Sequence, residues 1–153
     1  MKYRIPIAAL ALSASTLVGI ALHEGYRGTA YEPVPGDRPT IGFGQADGVR
    51  MGQTTSPERA LVRLLADASR FEAAVKRCAP VPMYPHEFSA FVSLTYNIGE
   101  SAFCNSTLAR KLNALDYVGA CNEILRWDKF KGRALPGLTK RRQAEHQQCM
   151  AAQ

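Results

Sequence analysis

Glu24 immediately precedes a glycine in the run His23-Glu24-Gly25-Tyr26-Arg27-Gly28-Thr29-Ala30-Tyr31. A second run follows: Pro33-Val34-Pro35-Gly36-Asp37-Arg38-Pro39-Thr40-Ile41-Gly42-Phe43-Gly44. A glutamate ending a helix, opposite a glycine-rich hairpin that bears Asp37 and Thr40, suits cleavage of a glycosidic bond. One carboxylic acid protonates the leaving oxygen. A second group, on the other face of the sugar, stabilises positive charge or positions water. Glu24 is therefore expected as the general acid, Asp37 as the second catalytic carboxylate and Thr40 as the water-positioning hydroxyl. The plainer reading of Asp37 is turn capping, which aspartate does often. The plainer reading of Thr40 is a β-branched strand residue.

These groups need elements to hold them. Six glycines between residues 25 and 48 point to a small irregular hairpin or three-stranded sheet. Ser56-Pro57 then marks a helix start. Leu61, Leu64, Leu65, Ala68, Phe71, Val75 and Cys78 continue at helical spacing. That helix runs to about Arg77 and is long enough to link two lobes. Further helices are expected from Glu87 to Ile98, from Asn105 or Ser106 through Leu112, from Asp116, and from about Leu138 to Cys149. The fold class is α+β: a small β-hairpin lobe and a larger helical lobe joined by a long helix around one cleft.

A chain of 153 residues, 46% hydrophobic and 21% charged, builds one domain with a core and is not disordered. Its formal charge of +6 suits an acidic partner. The basic residues are spread along the chain rather than clustered on one helix, which argues against nucleic acid. His23, His86 and His146 show no metal spacing, and the hairpin glycines lack the Lys-Ser/Thr of a phosphate loop. No metal and no cofactor are expected. Trp127 reads as core more readily than as a sugar platform. Cys78, Cys104, Cys121 and Cys149 are widely spaced and even in number, a disulfide pattern if the chain leaves the cytosol.

Ile5 to Leu22 is an uncharged run of 18 residues behind Lys2 and Arg4, a flank that places the N-terminus in the cytoplasm and the rest outside. Only eight of its residues are Leu, Ile or Val. Their insertion is worth about −2 to −5 kcal/mol in all, and the Ala, Ser, Thr, Gly and Pro content opposes it. Three readings compete: a cleaved signal peptide ending near Ala21, a stable anchor, and a releasable anchor. The third is favoured because Glu24 needs a preceding helix, which cleavage would remove. Residues 1–22 are then an uncleaved segment that becomes an N-terminal helix, and 23–153 the catalytic domain.

At these residues the sequence resembles the phage-type lysozymes, glycoside hydrolase family 24. Their signature is E-G-x-R-x-x-A-Y, an Asp or Cys nine residues after the Glu, then a Thr leading T-I-G-x-G. Glu24, Gly25, Arg27, Ala30, Tyr31, Thr40, Ile41, Gly42 and Gly44 match it. The likeness continues through Tyr96-Asn97-Ile98-Gly99, Ser106-Thr107-Leu108, Arg126-Trp127 and Arg141-Arg142. With the N-terminal segment, it resembles the signal-arrest-release endolysins of phages infecting Gram-negative bacteria. One departure stands out: Pro33 occupies the position nine residues after Glu24, leaving Asp37 or, less favoured, Glu32 to substitute. Gln45 stands where many relatives carry His.

The resemblance implies a lysozyme-like fold and a muramidase. The substrate is peptidoglycan, cut at the β-1,4 bond between N-acetylmuramic acid and N-acetylglucosamine during host lysis. It implies Tyr96, Asn97 and Thr107 as substrate contacts, and a monomer held at the inner membrane through residues 5–22 before release to the periplasm. Threading onto the family's helical order pairs Cys78 with Cys149 and Cys104 with Cys121. The competing reading is a non-catalytic, membrane-anchored wall-binding module that kept the fold.

Overall fold

The structure, a computed structural model, describes residues 3–151; Lys2 of the basic flank lies outside them. Ile5 is bridged to Met83, each N–H donating to the other's carbonyl at 2.9 Å. A 3-10 turn follows at Ile7–Ala9. Helix α1 spans Ala14–Glu24, and the Ser13 side chain caps it by accepting from the Thr16 N–H. Strands β1 (Arg27–Tyr31) and β2 (Thr40–Gly42) pair antiparallel with an irregularity between them. The expected hairpin is thus present, and a single bridge, Thr29 to Thr54, extends it.

Helix α2, Pro57–Cys78, begins where the sequence places it, with Ser56 accepting from the Arg59 N–H. Its 22 residues span about 33 Å and connect the hairpin to the helical lobe. Helix α3 (Pro85–Ile98) is buried at every position from Glu87 to Thr95. A helix covered on all sides is the axis of a core. Around it lie α4 (Glu100–Cys104), α5 (Thr107–Asn113), α6 (Tyr117–Glu123) and α7 (Pro136–Cys149). The caps of α5 and α6 are Ser106 and Asp116, as the sequence indicates.

Phe88, Phe91 and Leu94 of α3 pack with Phe103, Leu108, Leu112 and Ile124. Trp127 is a partly buried residue against this core. A smaller cluster of Ile20, Leu64 and Ala68 joins α1 to α2. The apolar N-terminal run is therefore split between two cores: Leu10 is buried in the first and Ile20 in the second. Pro6 and the Ser13 cap confine the helix to its second half. No described helix is long and apolar enough to cross a membrane.

Two elements were not expected. One is α4. The other is a short hairpin of β3 (Lys129–Phe130) and β4 (Arg133–Ala134), turned by Lys131 and Gly132 at positive φ. The disulfide expectation is corrected as well. The bridges are Cys78–Cys104 and Cys121–Cys149, with Cα atoms 5.3 and 5.7 Å apart. The reason is α4: Cys104 is not at the start of a helix but at the C-terminal end of this five-residue one. α4 packs on α2 and brings Cys104 to the end of α2. Cys121 on α6 is left for Cys149, at the end of α7.

Each bridge spans a short interval, 26 and 28 residues. In the chain-entropy model each is worth about 3.5 kcal/mol. Peptide mapping without reductant should join Cys78 to Cys104 and Cys121 to Cys149. Replacing Cys121 and Cys149 together by serine should lower the melting temperature by more than ten degrees or so.

Candidate functional site

α1 ends at Glu24 because Gly25 follows at φ 70°, a left-handed conformation that favours glycine. The Glu24 side chain is one-fifth exposed. It lies against the hairpin at Gly44, where a Cβ would stand 3.1 Å from Glu24 Oε2. Gly44 also has positive φ, 85°. Both its backbone conformation and the closeness of the carboxylate therefore call for glycine.

On the other side, Arg141 Nη1 donates to Glu24 Oε1 at 2.9 Å. Arg141 also reaches Glu145 Oε1 at 3.2 Å through Nε. Glu145 in turn accepts from Ser93 Oγ at 2.7 Å and from Arg142 Nη2 at 3.1 Å. Arg142 Nη1 donates to Asn97 Oδ1 at 3.0 Å. Arg141, Arg142 and Glu145 are buried. Residues of α1, α3 and α7 thus form one polar chain that ends at the partly buried Glu24 on the cleft. The sequence marks Arg141 and Arg142 as part of the family likeness; it does not show that one of them reaches Glu24.

The open cleft beside Glu24 has a volume of about 230 Å³. Tyr96 and Asn97 line it. The Tyr96 hydroxyl donates to the Phe43 carbonyl at 3.4 Å, and its ring meets Phe71 edge-on at 5.3 Å. Burial, with Glu24 adding to it, pushes the Tyr96 phenol far above its usual range, so it stays a neutral donor. Thr107 lies elsewhere, in a separate cavity with Arg126 and Trp127.

Thr40 is buried at the start of β2, its hydroxyl donating to the Arg38 carbonyl at 3.2 Å. Asp37 is exposed in a turn closed by its N–H to Val34, and its carboxylate accepts from the Arg38 N–H at 2.8 Å. Glu32 is exposed on the same turn, accepting from the Gly36 N–H at 3.1 Å. The hairpin residues on the wall of the Glu24 cleft are instead Gly44 through Asp47. Gln45 closes that end of the hairpin, its Oε1 accepting from the Phe43 N–H at 2.9 Å.

Three charged residues of α2 also line the cleft: Arg63, Asp67 and Arg70. Helical spacing puts them on one face, and that spacing was the available signal. Burial is the main cause that raises the Asp67 carboxyl, while Arg63 and Arg70 oppose it. Among the described residues no group of His, Cys, Asp and Glu is placed to hold a metal ion.

A family model described as "Phage lysozyme" matches residues 21–145. An endolysin of Acyrthosiphon pisum secondary endosymbiont phage 1 is 39% identical over 88% of this chain and 94% of that one. A SAR-endolysin of Pseudomonas phage phiKMV is 33% identical over 95% and 91%. The solved structure of an endolysin from Escherichia coli O157:H7 phage FAHEc1 superposes with TM-score 0.83 at 36% identity, covering 97% of this chain and 96% of that one.

The folded chain keeps the Asp67 proton to a higher pH than the unfolded chain does. Stability therefore falls as pH rises through the interval above the ordinary carboxylate pKa of about 3.9. Asp67→Asn should remove that loss. Its melting temperature should exceed the parent's at pH 7, with the gain vanishing below about pH 4.

Proposed function

The chain belongs to the phage lysozyme family and is a muramidase endolysin; on that premise we propose that Glu24 is its general acid and that residues 5–22 hold it at the inner membrane until release. The observation that carries the catalytic part is the placement of Glu24. A single carboxyl group stands at the end of α1, open to the cleft and fixed between Gly44 and Arg141. Both contacts orient the carboxyl, so its proton can be delivered to one glycosidic oxygen. Peptidoglycan is the substrate. Its bond between N-acetylmuramic acid and N-acetylglucosamine crosses the cleft, with Tyr96 and Asn97 on its wall.

The second face of the sugar is served from the hairpin. Thr40 and Asp37 belong to the same β1–β2 unit that contacts Glu24 through Gly44. Thr40 positions water, and Asp37 supplies the carboxylate that Pro33 does not. Thr107, in its own cavity beside Trp127, is the outlying substrate contact.

Supporting the membrane part are the uncharged run Ile5–Leu22 and the likeness to the phiKMV protein, a SAR-endolysin. A single chain then has two forms. In the tethered form Glu24 lies two residues beyond the apolar run, at the lipid interface, and α1 is not docked. In the released form, free in the periplasm, the segment packs into the core and α1 presents Glu24. Neither disulfide involves the segment, so the control is positional rather than by thiol exchange.

Glu24→Gln should fold normally and lose on the order of 10²-fold or more of peptidoglycan hydrolysis, read by zymogram and turbidity. Parental turnover by the folded variant overturns the assignment. Asp37→Asn should lower turnover strongly with little change in melting temperature, and Glu32→Gln should be mild; the reverse order removes Asp37.

Release is tested at Ser15 and Gly19. Ser15 is exposed, and a Cβ at Gly19 meets nothing within 4 Å. Ser15→Leu with Gly19→Leu therefore raises apolarity while sparing the Ser13 cap. Cells should retain this variant in the membrane fraction and fail to lyse after an uncoupler is added. Lysis on schedule, or a mature N-terminus at Leu22 by mass spectrometry, would overturn the releasable anchor.

A further inference from the structure

Arg4 is the cation nearest the apolar run, and its position in the folded chain is unusually well defined. Its Nη2 and Nε donate to the two oxygens of Glu87 at 2.7 and 3.0 Å, a bidentate fork. The guanidinium carbon lies 3.5 Å from the Tyr117 ring centroid and 4.6 Å from that of Tyr84. The Glu87 side chain is only 5% exposed. Tyr117 is itself fixed, its hydroxyl donating to the Pro82 carbonyl at 2.7 Å. Glu87 also accepts from the Tyr84 N–H at 2.9 Å, so the carboxylate is held in place at the first turn of α3.

A planar cation gripped by a buried carboxylate and by two aromatic rings is a site suited to arginine rather than lysine. An exposed surface pair contributes little. A nearly buried carboxylate deprived of its cation is costly. This difference separates Arg4–Glu87 from the surface ion pairs elsewhere, such as Arg38–Asp47.

We propose that Glu87, Tyr84 and Tyr117 form a guanidinium-binding cage whose ligand is Arg4 of the chain's own membrane-flanking segment, and that this capture keeps the segment out of the bilayer after release. The role rests on the releasable-anchor reading above. While Ile5–Leu22 spans the membrane, Arg4 is on the cytoplasmic side, and the cage is across a hydrocarbon core about 30 Å thick. The two cannot meet. Once Arg4 has come through, the cage holds the end of a strap. The next residue, Ile5, bridges Met83. Leu10 enters the core, and the Leu12 N–H donates to Glu72 Oε2 at 2.9 Å. Ser13 then caps the helix that ends in Glu24. Arg4 therefore closes the far end of the path by which the former anchor becomes part of the enzyme.

The test uses the purified full chain, its N-terminus verified by mass spectrometry. Arg4→Ala, Arg4→Lys and Tyr117→Leu are compared by hydrogen exchange over residues 5–12 and by sedimentation with phosphatidylethanolamine–phosphatidylglycerol vesicles. Arg4→Ala should lose about tenfold or more of the protection in residues 5–12 and should move toward the vesicle fraction. Protection in α3 and hydrolysis of soluble wall fragments should stay at the parent's level. Arg4→Lys should fall between the two. Millimolar ethylguanidinium should restore protection to Arg4→Ala but not to Arg4→Ala with Tyr117→Leu. Parental exchange and parental vesicle partition in Arg4→Ala overturn the cage. Enzyme recovered from lysing cells with an N-terminus at or beyond Leu22 overturns the release reading, and with it the retention role.

Discussion

The ion pair between Glu24 and Arg141 is the constraint around which the structure is arranged. Its partners are 117 residues apart in the chain, and Arg141 is shared between Glu24 and Glu145. Arg141 is buried, and a buried charge left without a partner is strongly destabilising. Glu145 answers both arginines of α7, and Ser93 on the central helix answers Glu145. The charge of Glu24 is thus the outward end of a chain that is anchored in the core. The same chain fixes the registers of α1, α3 and α7 against one another. A shift of α1 or α7 by a turn would separate Glu24 from Arg141, and a shift of α3 would take Ser93 from Glu145 and Asn97 from Arg142. The placement of Glu24 and the packing of the helices are therefore one requirement at this point.

On the proposed releasable anchor, the N-terminal segment has to suit two solvents with one composition. Its aliphatic residues are sufficient for marginal insertion and sufficient for a core. Ile20 and Leu10 fill separate clusters, whereas Val18 and Leu22 are exposed in the folded chain. Those exposed side chains have no packing partner in either cluster of the folded state; on the proposed releasable anchor they face lipid before release. The polar residues divide in the same way. Thr16 is buried and Ser13 is a helix cap, roles that exist only after folding. Pro6 and Ser13 break the run before it can form one long helix, so the folded form consists of a strap and an 11-residue helix rather than a span.

Much of this was legible in the sequence wherever a local rule decided the outcome. Ser56-Pro57 opened α2, Ser106 and Asp116 capped α5 and α6, and the glycine-rich run gave the hairpin. Local rules failed where the element was too short to show a period. α4 has five residues, and β3 and β4 have two each. Missing α4 was enough to mispair every cysteine, because α4 delivers Cys104 to α2. In the site, Tyr96 and Asn97 were visible from the motif they share. The partnership of Arg141 with Glu24 was not, since it depends on how α7 crosses α3. Asp67 was visible as a helical residue, but a charge on a long helix ordinarily faces solvent, and only the tertiary arrangement turns it into the cleft.

The hairpin's position relative to Glu24 depends on glycine as well as on packing, for Phe43 lies against the cluster that joins α1 to α2. Gly44 lets the carboxylate lie against the backbone, and any Cβ there would meet Glu24 Oε2. The small lobe is consequently indexed to the Glu24 carboxyl itself, with Gln45 closing the strand end behind it. The turn from Glu32 to Arg38 is exposed and held by local hydrogen bonds. It can adapt to a glycan without disturbing that index. A proline at position 33 restricts the backbone of the turn, and a carboxylate four residues further on is carried by the same turn. On the proposal that Glu24 and Asp37 act together, fixing one carboxyl by the core and carrying the other on an adaptable turn leaves the spacing between them to be set by the bound sugar.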